Sequence, residues 1–123
     1  MTNQINDIRI RVQRLDATVA EMLITVYPDR VTDGTRVHGR VTGPRCAHAT
    51  TVEVSYALRE NSRHLDNEGD PCIRSRVVIP EPNVWDPISP FVYQCRIELW
   101  QDDQCCDKAE REIQLKAPPK GDC

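Results

Sequence analysis

The chain has 123 residues, 39% of them hydrophobic, which suits one domain able to bury roughly two thirds of its unfolded surface without help from a disulfide or a metal. Its 16 Lys and Arg against 19 Asp and Glu leave a net charge of −3, so no overall positive field exists to draw nucleic acid or an anionic membrane. Residues 1–7 are too polar for a secretion signal, and no apolar run approaches the roughly 18 residues of a membrane span; the expected compartment is the cytoplasm.

Taken in order, Ile8, Ile10 and Val12 alternate with Arg9, Arg11 and Gln13, giving a first strand over residues 6–14. The second puts Thr18, Ala20, Met22, Ile24 and Val26 on one face. Its other face, with Val19 and Leu23, is also apolar enough to be partly covered. After a turn at Asp33-Gly34, Val37, Gly39 and Val41 form one face of a third strand, in which Gly39 predicts a bulge or a close backbone approach and Gly43-Pro44 a stop. A fourth strand has Val52, Val54, Tyr56 and Leu58 on one face. Residues 59–71 hold too few apolar side chains to offset the entropy of ordering them, which predicts a mobile surface loop. Ile73, Ser75, Val77 and Ile79 make a fifth strand.

Residues 80–90 contain four prolines, which fix φ near −65° and remove backbone donors, so the segment reads as a rigid corner. The sixth strand follows at once, with Phe91, Tyr93, Cys95, Ile97 and Leu99 on one face and Val92, Gln94, Arg96, Glu98 and Trp100 on the other. Residues 101–104 turn the chain back into a charged seventh strand ending near Leu115, suited to a sheet edge; residues 108–115 also admit a short helix. Residues 1–117 are thus expected to form one domain and residues 118–123 a flexible tail. The pattern predicts an all-β fold, a seven-stranded immunoglobulin-like antiparallel β-sandwich with Greek-key connections. A Tyr two residues before a Cys on the sixth strand allows Tyr93 to close a corner by bonding back towards residues 80–90.

The corner residues Trp85, Pro87, Pro90 and Phe91, with Tyr93 leading into the alternating strand, resemble the immunoglobulin-like domain of family 2 glycoside hydrolases, whose members include β-galactosidases and β-glucuronidases. The resemblance implies a spacer and support beside a separate catalytic barrel, not an enzyme in its own right. It makes Trp85, Pro87, Pro90 and Tyr93 packing residues of the corner. A sugar-cleaving pair of acids needs a separation of roughly 5 to 10 Å. Glu81, Asp86, Asp102 and Asp103 fall instead in loops and strand ends, where solvated acids are ordinary.

Other chemistry has thin support. Cys46 and His48, with His38 or His64, are the nearest approach to a metal cluster, against the plainer reading of a loop thiol and surface imidazoles. Cys105 and Cys106 are expected near the turn after the sixth strand and Cys123 on the tail, and Cys105 or Cys106 could reach Cys72 or Cys123 in an oxidising compartment, whereas Cys95 reads as a small buried hydrophobe. No cofactor motif is present. Trp100, Arg96 and Val92 are the expected contact surface, together with residues 61–70. The expected partner is a protein or a larger carbohydrate-active assembly, with sheet edges offering a route to a homodimer. A carbohydrate-binding module, with Trp100 stacking on a sugar, and a thiol or metal protein are the competing readings.

Overall fold

The computed structural model describes residues 2–47 and 49–116. Eight strands form: β1 Ile5–Leu15, β2 Val19–Pro28, β3 Thr35–Arg45, β4 Val54–Ala57, β5 Arg59–Leu65, β6 Pro71–Pro80, β7 Val92–Gln101 and β8 Gln104–Ile113. They lie in two four-stranded sheets, ordered β1-β2-β6-β5 and β4-β3-β7-β8. Every pairing is antiparallel. The chain changes sheet between β2 and β3, between β4 and β5 and again at the proline corner between β6 and β7, which is the connectivity of an immunoglobulin-type sandwich. Among the described residues no helix forms, so residues 108–113 follow the strand reading, with β8 ending two residues before Leu115.

The core is what alternation dictates. Ala20, Met22, Ile24 and Val26 of β2 are fully buried, and Ile73, Val77 and Ile79 of β6 continue the same layer. Val37, Val41, Tyr93, Cys95, Ile97 and Leu99 supply the facing layer. Each large aliphatic side chain removed from water here contributes about 1.5–3 kcal/mol. Asn3 is also fully buried, where its side chain donates to the Arg30 carbonyl at 2.9 Å and to Gln101 Oε1 at 3.2 Å. It pins the first residues to the β7–β8 hairpin.

Four expectations need correction. Eight strands replace seven, because residues 59–65 form β5 rather than a mobile loop; pairing of its backbone with β6 replaces the missing apolar burial. Gly43-Pro44 does not stop β3, which continues to Arg45 through a cis peptide bond and a register shift between Thr42 and Arg45. Val52 lies outside β4 and is 84% exposed, so only Tyr56 and Leu58 of that face reach the core. β8 starts at Gln104, inside the four residues expected to turn, so Cys105 and Cys106 lie within the strand. The turn before it has Asp102 and Asp103 at φ 50° and 66° between the paired Gln101 and Gln104, the geometry that best matches strand twist in a two-residue hairpin. At Gly39 the close approach is real: a Cβ would lie 2.3 Å from the Arg96 carbonyl oxygen.

The corner satisfies its donors individually. Glu81 N–H reaches Thr18 O at 3.0 Å, and Trp85 N–H reaches Leu115 O at 2.8 Å. Asn83 N–H donates to Tyr93 Oη at 3.0 Å. The Tyr93 ring lies so close over β3 that a Cβ at Gly43 would come within 2.5 Å of it. Pro87 is exposed and Pro90 half-buried, while Lys116 Nζ sits 4.6 Å over the Trp85 ring.

Candidate functional site

Because Tyr93, Cys95, Ile97 and Leu99 face the core, the intervening side chains of β7 stand on the outer face of its sheet. Cross-strand neighbours then follow from register. Arg96 stands between Arg40 of β3 and Glu110 of β8, Glu98 between His38 and Lys108, and Trp100 between Arg36 and Cys105. Arg96 Nε meets Glu110 Oε1 at 3.1 Å, with both side chains largely exposed, so the pair adds little stability. Trp100 is half-buried; its Nε1–H donates to Glu98 Oε1 at 3.1 Å, and its ring meets His38 edge-on with centroids 5.5 Å apart. Val92 is half-buried opposite Arg45, beyond the β3 register shift.

A cleft of about 530 Å³ opens beside this face where the chain leaves β4 and crosses to β5. His38, Arg40, Leu58, Asn61, Arg96 and Glu98 line it. Asn61 is there because β5 bulges: Glu60 has φ 64°, the register shifts between Arg59 and Ser62, and Asn61 Oδ1 accepts the Val37 N–H of the opposite sheet at 2.7 Å. The rest of the 61–70 segment does not join Trp100. Its turn packs beside Arg9, Tyr27 and Arg74 on the other sheet. There the backbone N–H of Asp70, and next that of Glu68, hold the Asp66 carboxyl below its usual range.

The candidate acids do not converge. Glu81 and Asp86 belong to the corner, whereas Asp102 and Asp103 form the hairpin at the far end of β7, roughly 30 Å away along a ten-residue strand. Asp86 is occupied locally, accepting the N–H groups of Ile88 and Ser89 at 2.8 and 2.6 Å. The sulfur and imidazole groups are equally dispersed. Cys46 is buried in a short bridge to Ala49, His64 faces Cys72 across β5 and β6, and His38 stands beside Trp100. His48 and Cys123 lie outside the described residues, as do residues 118–123. Among the described residues no three His, Cys, Asp or Glu side chains gather as a metal site would require. Burial pushes the Cys95 thiol up to about 11 and also raises Cys72, while Cys105 is exposed and Cys106 half-buried.

Sequence reasoning located Trp100 and Arg96 on the outer face but missed the cleft, which depends on Asn61 crossing between layers. An Asn in a polar stretch has no signature that separates such a bridge from a turn. The Arg40–Arg96 juxtaposition was readable only once register was known.

Solved structures share this architecture at low identity. A β-glucuronidase from Bifidobacterium dentium superposes with a TM-score of 0.61 and 16% identity, covering 93% of this chain and 18% of that one. A putative β-galactosidase from Bacteroides fragilis gives 0.58 and 16%, over 92% of this chain and 17% of that one. A glycosyl hydrolase family 2 member from Bacteroides cellulosilyticus gives 0.57 and 18%, over 92% and 14%. The chain therefore spans less than a fifth of the length of these matches. No curated relative matches it. The model of the glycosyl hydrolases family 2 matches residues 3–113, nearly the whole sandwich, and the chain belongs to that family as its immunoglobulin-like β-sandwich domain.

Proposed function

We propose that the chain is a non-catalytic module that supports a carbohydrate-active assembly through protein contacts made by its sheet faces. The separation of its carboxylates carries this reading: the acids of the corner and those of the hairpin lie at opposite ends of β7 and cannot flank one glycosidic bond. The small share of each matched enzyme that the sandwich spans supports the same view. The outer face around Trp100 and Arg96 is one such contact surface. Trp100 is an aromatic anchor already oriented by Glu98 and His38.

The test is turnover. Purified chain incubated with 4-nitrophenyl β-D-glucuronide and 4-nitrophenyl β-D-galactoside is expected to release no nitrophenol above the buffer rate. Release that disappears when Glu81 or Asp102 is replaced by the amide would overturn the proposal.

A further inference from the structure

The outer face of the other sheet concentrates charge that the chain total conceals. On β2 the residues turned away from the core include Glu21, Leu23 and Thr25, and arginines flank them. Thr25 lies between Arg9 of β1 and Arg74 of β6. Leu23 lies between Arg11 and Arg76, and Arg59 of β5 continues that row beyond Arg76. Arg14 faces Glu21 one row further on. Six arginines thus share one face of a chain with net charge −3.

Three of the six have acids: Arg9 with Asp7 at 3.1 Å, Arg14 with Asp16 at 3.0 Å and Arg76 with Glu21 at 2.6 Å. Arg11, Arg59 and Arg74 form no ion pair with a carboxylate of the described residues. Arg59 stands directly opposite Arg76, and like charges so placed are destabilising. The Nε atoms of Arg74 and Arg76 are buried without a hydrogen-bond partner, so these stems are pressed onto the sheet, Arg76 reaching Glu21 with its terminal nitrogen and Arg74 lying beside the turn of Asp66 and Glu68. Within the rows the apolar side chains are Leu23, half-buried between Arg11 and Arg76, and Val78, 39% exposed beside Glu21, while Thr25 is buried.

We propose that the outer face of β1-β2-β6-β5 docks a carboxylate-rich protein surface, centred on Leu23 and Val78, with Arg11, Arg59 and Arg74 as its charged anchors. The proposal rests on the support-module reading and gives the neighbour a chemistry. Planar guanidinium groups meet carboxylates two bonds at a time, and arginine beside an apolar centre is the composition of protein interfaces. Asp7, Asp16 and Glu21 break the arginines into discrete positions rather than a continuous positive track, which suits separate carboxylates better than the continuous phosphates of nucleic acid or a lipid surface.

Titration of the chain with an oligo-glutamate peptide at low salt, followed by amide NMR, tests it. Saturable shifts are expected around Leu23, Thr25 and Val78. The affinity should fall about tenfold in the double variant Arg11→Glu/Arg59→Glu, and stay unchanged in Lys108→Glu on the other sheet. The double variant Arg11→Gln/Arg59→Gln serves the same purpose if circular dichroism shows that charge reversal prevents folding. No saturable shift, or shifts indifferent to both double variants, overturns the proposal. Tighter binding of a short DNA duplex or of phosphatidylserine vesicles than of the peptide also overturns it, by giving the face to another polyanion. Nitrophenol release is read separately, so failure of the support reading and failure of the docking face are distinguishable.

Discussion

β7 and β5 are both well-formed strands, yet they are held by different forces. In β7, Tyr93, Cys95, Ile97 and Leu99 are each at most 1% exposed, and the strand sits between β3 and β8. In β5 none of the seven residues is buried, and Leu65 is 69% exposed. What keeps β5 in place is its ladder to β6, the Asn61 bond to Val37 and the Arg63 bond to the Asp33 carbonyl. A strand can therefore be specified by the greasy surface it hides or by the backbone groups it satisfies, and only the first leaves a pattern of alternation.

Substitutions in the two strands separate these mechanisms. Leu99→Ala, in the middle of the core, should lower unfolding free energy by about 2–5 kcal/mol in urea titrations, through lost transfer energy and a cavity. Little change there would mean that β7 is not what closes the sandwich. In β5 the sensitive position is polar. Asn61→Ala strips the Val37 N–H of its acceptor and should cost about 1–3 kcal/mol, with Asn61→Asp recovering most of the loss. An alanine variant as stable as the parent chain would show that water replaces the amide there. Leu65→Ala should stay within about 0.5 kcal/mol by the same measurement, although it removes the same atoms as the change at Leu99.

The legible part of the fold was the part that alternates. β2, β6 and β7 emerged because Met22, Ile24, Val77, Ile97 and their neighbours must all point one way, and the prolines of residues 80–90 marked the corner without ambiguity. β5 was illegible because its residues have no side to hide. Gly43-Pro44 misled because proline usually ends a strand, whereas here β3 continues past a register shift with the Tyr93 ring over Gly43. Of the surfaces, Trp100 and Arg96 followed from parity alone. The basic face did not, although Arg9 and Arg11, like Arg74 and Arg76, alternate plainly in sequence. A net charge of −3 averages over two sheets, and only strand register reveals that three separate strands stack their arginines together.

The crossing from β4 to β5 has an effect on neighbours as well as on the molecule itself. β4 pairs with β3 only from Arg40 to Gly43, so the stretch of β3 before it would present bare amides and carbonyls, an invitation to recruit a strand from another molecule. Leu58 N–H occupies the Gly39 carbonyl and Asn61 Oδ1 occupies the Val37 N–H. An intruding chain finds those sites taken, and a rim that would otherwise seed aggregation is sealed by the protein's own passing segment.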